Sequence, residues 1–363
     1  MAELNENPGL YHEVIPENEA EVIRRFTQSN TRELIRDYPG NNRPVRRRLH
    51  AKHHGCVHAQ FRVCEDVPIE FREGVFAQPN TFPTLIRFSN GFKSIRHDKE
   101  KDARGMAIKL LGVKGRKVLE DESDATTQDF LLLNSNVFFI RNAEHFERFS
   151  NAVDSNKTAS YFFPWNPFKW EIHEAIALFK SIQKTIRNPL EEQYWSAAPC
   201  RMGAKAVKFT VIPRADGGFV TNDRKEPNYL YQAMADQLKR GSVQFDFLAQ
   251  LQIDPKKMPI EDPTIPWNVK LSPFRKIAEI NIPSQSFDAD HLMEFCENLS
   301  FTAFHTLPEH MPLGGINRMR KAVYHASSET RHRLNEVPRR EPEIEDLPEE
   351  WRKAFSIISA VNQ

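Results

Sequence analysis

Residues 241–253 read Gly-Ser-Val-Gln-Phe-Asp-Phe-Leu-Ala-Gln-Leu-Gln-Ile, and apolar and polar side chains alternate through them. From Val243 to Ile253 every second residue is apolar, without a break. Because side chains of an extended chain point alternately to opposite faces, this spacing predicts a strand with one face in the core. Such alternation is typical of a strand in an antiparallel sheet, where the two faces of the sheet meet different environments.

Other strand-like segments lie on both sides of this one. They comprise residues 61–63, 84–88, 106–111, 129–140, 206–212 and 276–282. The run Asp129–Ile140 is almost continuously apolar, which predicts a strand buried on both faces. About eight such segments, interrupted by a helical excursion, predict an α+β fold: a closed antiparallel β-barrel of about eight strands with helices packed around it.

The remaining segments divide the chain into three parts. Residues 1–40 read as an N-terminal arm and a helix, whose apolar stripe includes Val22, Phe26 and Leu34. Residues 41–335 read as one barrel domain, with a helix-rich insertion at about 142–196 and a helix at about 315–335. Residues 336–363 read as a polar tail with a short helix.

Composition narrows the class of protein. The 363 residues carry a formal net charge of +1, so no global field attracts nucleic acid or an anionic surface. No run of about 18 apolar residues is present, so we expect no membrane span. The first residues lack the apolar core of a secretory signal.

The cysteines support an expectation of a cytoplasmic protein. Cys56, Cys64, Cys200 and Cys296 are scattered and form no Cys-x-x-Cys pair. This spacing disfavours a zinc ribbon and a disulfide scaffold, and free thiols fit a reducing compartment.

Arg320 and Tyr324 stand four residues apart in a helix-prone segment. Residues i and i+4 share a helix face, so the guanidinium can approach the phenol oxygen and favour its ionised form. A phenolate is a hard, anionic ligand suited to ferric iron. The same spacing also fits a core tyrosine in a cation–π pair. Whether it indicates an iron ligand therefore depends on other segments of the chain.

Four ordered segments resemble the haem catalases. They are Arg47-Arg-Leu-His50-Ala-Lys-His-His-Gly55; Leu85-Ile-Arg87-Phe-Ser89 with Asp102-Ala-Arg-Gly-Met-Ala-Ile-Lys109; Asp129-Phe-Leu-Leu-Leu-Asn134 on to Arg141; and Asn298-Leu-Ser-Phe through Pro312-Leu-Gly to Arg320-x-x-x-Tyr324. The resemblance covers residues 40–335. Three departures are visible: the chain is shorter than main-family catalases, His53 and His54 replace small residues, and Asn134 follows three leucines.

These departures make the match better to the shorter catalase-related haem peroxidases. That group includes minimal catalases, organic-hydroperoxide peroxidases and allene oxide synthases. The resemblance implies a haem b cofactor (iron protoporphyrin IX), a peroxide substrate with a small organic reductant, and a homo-oligomer of two or more chains.

The resemblance also implies a role for each motif residue. Tyr324 would be the axial ligand of the haem iron, and Arg320 would keep it ionised. His50 would be the acid–base that moves the proton of a bound peroxide, and Asn134 would orient that peroxide. Ser89 would fix the tautomer of the histidine.

Further residues would hold the porphyrin itself. Arg47, Arg87 and Arg333 are candidates for the haem propionates, because arginine binds carboxylates through two hydrogen bonds. Arg331 is an alternative to Arg333, because two residues are inserted after the tyrosine. Phe146 resembles the phenylalanine that covers the distal face of the haem, and ordinary core packing would explain it equally well.

Two other interpretations of the basic, histidine-rich stretch remain open. His50, His54 and His58 would share one face of a helix and could bind zinc, although Gly55 interrupts the segment and Cys56–Val63 reads as a strand. The basic residues of the stretch could form a nucleic-acid arm, although no aromatic residues alternate with them; they are Arg43, Arg46, Arg47, Arg48 and Lys52.

The sequence therefore predicts a haem-dependent oxidoreductase that cleaves the O–O bond of hydrogen peroxide or organic hydroperoxides. The leading hypothesis is a peroxidase. A catalase that disproportionates hydrogen peroxide and a fatty acid hydroperoxide isomerase are the enzyme alternatives. A haem-binding sensor or carrier is the non-enzymatic alternative, disfavoured because a carrier needs no acid–base pair.

Overall fold

The computed structural model describes residues 11–40, 42–214 and 218–361. The first ten residues of the expected arm and the last two of the expected tail lie outside these ranges. The strands are β1 (His53–Val63), β2 (Thr81–Asn90), β3 (Arg104–Leu111), β4 (Thr127–Leu133), β5 (Tyr194–Trp195), β6 (Cys200–Met202), β7 (Lys205–Pro213), β8 (Val243–Leu251) and β9 (Arg275–Ile282). The helices are α1 (Glu19–Asp37), α2 (Ala143–Asp154), α3 (Thr158–Phe162), α4 (Ile172–Ile182), α5 (Tyr229–Arg240), α6 (Asp290–Asn298), α7 (Gly315–Asn335) and α8 (Glu349–Val361).

The strands close into a barrel. They follow the order β5-β4-β3-β2-β1-β9-β8-β7, and every pairing is antiparallel. Strand β5 also pairs with β7, where Tyr194 lies opposite Val211, and this contact completes a ring of eight strands. The short β6 pairs with β7 outside the ring. The predicted closed antiparallel barrel of about eight strands is confirmed.

Phenylalanine fills the inside of this barrel. The alternation in β8 buries Phe245 and Phe247, as predicted. The ring of Phe247 lies with its centroid 5.1 Å from both Phe61 and Phe130, and 5.2 Å from Phe209. Aromatic pairs at such distances bury large apolar area and prefer tilted or edge contacts. Much of the phenylalanine content therefore serves ordinary packing of the barrel core.

The prediction of a strand over Asp129–Ile140 is wrong beyond its first half. Strand β4 ends at Leu133. At the next residues polar side chains bind the backbone: Asn134 Oδ1 accepts the N–H of Arg104 at 2.7 Å, and Ser135 Oγ donates to the carbonyl of Val137 at 2.9 Å. Such local side-chain bonds compete with strand pairing, so the chain leaves the sheet there.

The expectation of four free cysteines is also wrong. Cys56 on β1 and Cys296 on α6 form a disulfide, with Cα atoms 5.7 Å apart, while Cys64 and Cys200 are free. The pair is separated by 240 residues, so spacing in the sequence could not reveal it. The argument from free thiols therefore no longer supports the expectation of a cytoplasmic protein.

Helices cover the barrel from outside. Helix α7 packs on α1, where Val22 and Phe26 meet Met319 and Val323. Near the end of the chain, Trp351 of α8 is buried in a cluster that includes both cysteines of the disulfide. None of the described helices combines the length and the apolar character needed to cross a bilayer.

Candidate functional site

The start of α7 is held in place by backbone geometry and by carboxylates. Gly314 precedes the helix with φ +89°, and a Cβ there would lie 2.6 Å from the carbonyl oxygen of Ile260. Glu13 and Glu261 accept the N–H groups of Gly314 and Gly315 at 2.7 and 2.9 Å. Carboxylates are favourable at a helix N-terminus, where N–H groups lack partners within the helix. The helix therefore enters the site at a defined position.

Arg320 and Tyr324 meet on this helix. The Nε of Arg320 donates to the Tyr324 hydroxyl at 3.3 Å, and its Nη1 donates to Asn317 Oδ1 at 2.9 Å. Asn317 is itself fixed, because its amide donates to the carbonyls of Pro199 and Leu313. The guanidinium is thus oriented from two sides, with one N–H on the phenol oxygen.

Strand register assembles the opposite wall. Ser89 of β2 lies opposite Gly105 of β3, and Gly105 lies opposite Leu133 of β4. His50 lies against this row, because a Cβ on Gly105 would be 2.7 Å from the Nδ1 of its ring. Asn134 follows Leu133 directly. Segments far apart in the sequence thus place His50, Ser89 and Asn134 at one end of three neighbouring strands.

The backbone and ring of His50 are both constrained. Its φ is +57°, a left-handed conformation that few non-glycine residues adopt, and its N–H donates to the carbonyl of Gly91 at 3.1 Å. The Nδ1 atom lies 3.0 Å from Ser89 Oγ, and Arg87 Nη2 donates to the His50 carbonyl at 2.8 Å. Strained conformations of this kind are often found at functional sites.

Electrostatics keep His50 neutral. Burial lowers its pKa to about 3, and the positive charges of Arg87, Arg320 and Arg47 add to this effect. A neutral imidazole can accept a proton at one nitrogen, which a protonated ring cannot do. The charge of Arg320 on α7 is among those that lower the pKa of His50, so the two residues are coupled electrostatically.

Asn134 is buried with its amide only partly engaged. Its carbonyl oxygen accepts the N–H of Arg104, while its Nδ2 lies 3.5 Å from a carboxylate oxygen of Glu192, at the limit of a hydrogen bond. The N–H of Asn134 also donates to the carbonyl of Arg104 at 2.9 Å. The side chain is fixed by its oxygen and has a weakly used donor.

Three arginines form a buried cluster near His50, which we call the arginine cluster: Arg47, Arg87 and Arg331. Both Arg47 and Arg331 donate to the carbonyl of Leu299. Glu297 lies 3.1 Å from Arg47 and is the carboxylate paired with the cluster among the described residues. Three guanidinium groups therefore face one carboxylate.

The cluster has unused capacity for anions. Burial lowers the pKa of Arg87 far below its usual range, and the charge of Arg47 adds to this. Burial likewise lowers the pKa of Arg331 to about 9, again with a contribution from Arg47. The Nε of Arg87 is buried without a hydrogen-bond partner in the part of the chain that is described. Additional carboxylates would relieve both the repulsion and the unpaired donor.

Arg333, the first choice from the sequence, lies elsewhere. Its side chain is exposed, whereas Arg331 is buried in the arginine cluster. Two residues on a helix differ by about 200° in direction, so both arginines cannot face the same site. The structure places the sequence alternative, Arg331, beside Arg47.

Phe146 lies on α2 in the same apolar cluster as Tyr324. Its ring contacts Phe26 edge-on, with centroids 5.6 Å apart, and Phe138 at 5.8 Å. It thus belongs to the wall next to the tyrosine and contributes to core packing as well.

The three histidines of the zinc alternative do not converge. His54 is buried with its Nε2 2.8 Å from Asn90 Oδ1, and His58 stands edge-on to Phe355. Within residues 11–40, 42–214 and 218–361, the triads of donors close enough for a metal are Glu122–His305–Glu341 and His145–Glu171–Glu174. The zinc interpretation of His50, His54 and His58 is therefore wrong.

The basic stretch is not a free arm either. Arg48 pairs with Asp154 at 3.3 Å, Lys52 pairs with Asp98 at 2.7 Å, and Arg47 belongs to the arginine cluster. These charges are compensated inside the protein, so they do not form a continuous surface for a phosphate backbone.

His53 has a role that the sequence did not assign. Its Nε2 lies 3.4 Å from Glu297, and its Nδ1 lies 3.9 Å from the sulfur of Cys296. Both His53 and Glu297 line a cleft of about 790 Å³, whose walls include Arg46 and Tyr231. The only signal in the sequence was the replacement of a small residue by histidine. The cleft connects solvent with the carboxylate of the arginine cluster.

Similarity to known proteins agrees with this arrangement. Residues 28–176 match the family model described as Catalase. No curated protein matches the chain significantly. Among solved structures, a fungal catalase has a TM-score of 0.61 at 18% identity, covering 91% of this chain and 66% of that one.

Two further catalases are equally similar in fold. Catalase A from Saccharomyces cerevisiae has a TM-score of 0.60 at 18% identity, covering 93% of this chain and 70% of that one. A bacterial catalase has a TM-score of 0.59 at 14% identity, with 92% and 64% covered. The chain thus spans about two thirds of the length of these enzymes. The chain therefore has the catalase fold, and residues 28–176 resemble the catalase family.

Proposed function

We propose that this chain is a haem-dependent peroxidase, which cleaves the O–O bond of hydrogen peroxide or of organic hydroperoxides and takes electrons from small organic donors. The observation that carries this proposal is that strand register brings His50 together with Ser89 and Asn134, and that burial and neighbouring charges, among them Arg320 of the Arg320–Tyr324 pair, keep His50 neutral. An acid–base imidazole opposite a phenol–guanidinium pair is the arrangement that peroxide cleavage at a tyrosine-ligated haem requires.

The residues present fit haem b. The arginine cluster has three cations against Glu297 and an unpaired buried Nε on Arg87, so it suits the two propionates of the porphyrin. The oxygen of Tyr324 would hold the haem iron, with Arg320 donating to the same oxygen. Phe146, in the cluster with Tyr324, would contact the apolar ring. When bound, haem supplies a redox-active iron at which a peroxide O–O bond is cleaved.

His50 would move the proton. Its imidazole is neutral over the whole physiological range, so a ring nitrogen can take the proton of a peroxide hydroperoxyl group and return it to the departing oxygen. Ser89 at Nδ1 orients the ring during both steps. The partly engaged amide of Asn134 would donate to the peroxide, and it cannot compete for the proton because an amide is not basic.

Catalase activity is the second candidate, because each of the solved structures described above is a catalase. In that case a second hydrogen peroxide would replace the organic donor, and the same residues would act on it. The two candidates share His50, Asn134 and the haem-holding residues, so they differ only in the source of electrons.

The test compares products of the haemin-loaded protein. Donor oxidation with little oxygen release identifies a peroxidase, and oxygen evolution from hydrogen peroxide alone identifies a catalase. A rearranged lipid product without a donor identifies an isomerase. Haem binding without any turnover identifies a sensor or carrier and overturns the enzymatic proposal.

His50→Ala tests the acid–base role. We expect haem to be retained and the peroxide reaction to slow by about 10²- to 10⁴-fold, the usual contribution of a positioned acid–base. His58→Ala is the matched control, because His58 lies on β1 against Phe355 and away from the site. Unchanged peroxide kinetics in His50→Ala would remove His50 from the mechanism.

A further inference from the structure

The helical insertion carries an unusual apolar surface. Trp165 and Phe168 are 101% and 97% exposed, as open as in an extended peptide. Five more large apolar side chains within the same 17 residues are also exposed: Phe163, Trp170, Ile172, Ile176 and Phe179. We call these seven residues the insertion patch. Contiguous apolar surface of this kind marks an interaction site in a folded protein.

Helix α4 turns its apolar face outward. Ile172, Ile176 and Phe179 follow each other at i, i+4 and i+7 and are exposed, whereas the buried residues of the helix are Glu174, Ala177 and Ser181. Helices on a globular protein normally show the opposite orientation. The orientation of α4 therefore needs a specific cause.

Hydrogen bonds on the inner face provide that cause. Glu174 accepts from the backbone N–H of Arg141 at 3.2 Å and from its Nε at 2.9 Å, and it also pairs with His145 and binds the hydroxyl of Tyr161. Ser181 lies 2.8 Å from Ser135. Rotating the helix to bury its isoleucines would leave these buried polar groups unpaired, which is unfavourable. The apolar face is thus held toward the exterior.

The loop before the helix presents its aromatic residues from an ordered turn. Asn166 accepts the N–H of Phe168 at 3.0 Å, and the base of the loop is closed by the N–H of Glu171 on the carbonyl of Phe162 at 2.9 Å. Trp170 donates its indole N–H to Pro164 at 3.1 Å. Trp165 and Phe168 therefore project from a prearranged tip, which lowers the entropy lost on binding.

The exposed ionisable side chains within the segment that carries the patch have one sign. Every exposed ionisable side chain in residues 163–187 is basic: Lys169, His173, Lys180, Lys184 and Arg187. Lys184 pairs with the buried Glu192, whereas Lys169 and Lys180 make no ion pair with the described residues. The two acidic residues of the segment, Glu171 and Glu174, are turned inward onto Arg141.

We propose that the insertion patch docks on the surface of an anionic lipid bilayer. Trp and Phe partition into the boundary between headgroups and acyl chains, and flanking lysines bind the phosphates. A second copy of the chain is a poorer occupant, because it would bring the same basic side chains together. In this proposal the insertion patch lies on the surface of the bilayer. The proposal is independent of the peroxidase activity.

Flotation of the full chain with vesicles tests this proposal. We expect binding to phosphatidylcholine vesicles that contain phosphatidylserine and clearly weaker binding to phosphatidylcholine alone. Trp165→Ser/Phe168→Ser should bind at least about tenfold more weakly, since two large apolar side chains no longer leave water. Ile69→Ser is the matched control, because Ile69 is 79% exposed outside the patch.

A second variant tests the contribution of the lysines to lipid binding. Lys169→Glu/Lys180→Glu should lose the preference for phosphatidylserine while keeping the aromatic residues. Tryptophan fluorescence tests the position of Trp165 even when binding is not lost. Lipid brominated in its acyl chains should quench the tryptophan fluorescence of the wild type. It should quench that of Trp165→Phe less, although this variant keeps an apolar side chain.

Three results would overturn the proposal. They are absence of binding to phosphatidylserine vesicles, equal binding by Trp165→Ser/Phe168→Ser with an unchanged melting midpoint, and a concentration-dependent dimer of the wild type that the same variant abolishes. The last result would assign the patch to a second copy of the chain.

Discussion

The Nε atom of Arg320 lies 3.3 Å from the hydroxyl oxygen of Tyr324, one helical turn away, and the guanidinium carbon lies 5.2 Å from the centre of the phenol ring. The charge of the same arginine acts on His50 across the site. One cation thus acts on two groups: it donates a hydrogen bond to the hydroxyl of Tyr324, and its charge contributes to the lowered pKa of His50.

Tyr324→Phe should lose haem. The side chain is only half-buried, so we expect the fold and the melting midpoint of the haem-free protein to change little. Without the oxygen ligand, affinity for haemin should fall by at least about tenfold, and the ferric spectrum should change. A spectral titration with haemin measures both, and Tyr38→Phe is the control. Equal affinity and an identical spectrum in Tyr324→Phe would contradict the ligand assignment.

Arg331→Met and Arg333→Met should behave differently. Arg331 belongs to the arginine cluster, so its loss should weaken haemin binding by about tenfold or more, the value of a charge-assisted bond. Arg333 is exposed, and its replacement should leave binding unchanged. The melting midpoint of each haem-free variant separates weaker binding from a damaged fold. If only Arg333→Met bound haemin more weakly, Arg333 and not Arg331 would be the haem-binding arginine.

The buried His305 should make stability depend on alkaline pH. His305 lies 2.9 Å from Asp129 and 2.6 Å from Glu122. Burial by itself would lower its pKa, but Glu341 and Asp129 outweigh burial and the charge of Lys109, and they raise the pKa to about 9. The protonated ring is therefore part of a buried network of ion pairs.

The sign of the effect follows from that shift. The pKa of His305 in the folded state exceeds the value of about 6.5 in the unfolded chain, so its contribution is complete below pH 6.5 and is lost as pH rises through about 9. The melting midpoint of the wild type, relative to His305→Gln, should fall between pH 7 and 10. Lys117 and Lys208, whose pKa values burial lowers to about 8 and 7, are present in both proteins and cancel. If the difference in melting midpoint between the wild type and His305→Gln does not change with pH, His305 is not protonated in the folded protein.

The disulfide gives a chemical prediction. After unfolding without reductant, alkylation should label Cys64 and Cys200, and reductant should expose Cys56 and Cys296 as well. Replacing Cys56 and Cys296 by alanine should lower the free energy of unfolding by about 2–4 kcal/mol, since the crosslink restricts a long loop in the unfolded chain. Cys64→Ala is the control. Four reactive thiols before reduction would show that the crosslink does not form.

Local periodicity determined the elements of this fold. The alternation from Val243 to Ile253 predicted a barrel strand, and the structure has β8 over Val243–Leu251 with Phe245 and Phe247 buried. The pairing of Arg320 with Tyr324 also followed from the sequence, because residues four apart on a helix are neighbours whatever surrounds them. Such contacts depend only on the geometry of one element.

Tertiary structure decided the contacts between elements. Register across β2, β3 and β4 brought Ser89, Gly105 and Leu133 into one row, and only that row shows where His50 lies. The direction in which α7 faces selected Arg331 over Arg333. Both outcomes depend on how distant segments pack, which no spacing along the chain encodes.

The sequence by itself thus determined the barrel, helix α7 and the types of residue at the candidate site, because periods of 2 and 3.6 residues are properties of the chain. Only the folded structure decided the Cys56–Cys296 crosslink, the membership of the arginine cluster and the outward apolar face of α4. Each of these depends on side chains far apart in the sequence that become neighbours when buried polar groups find their partners.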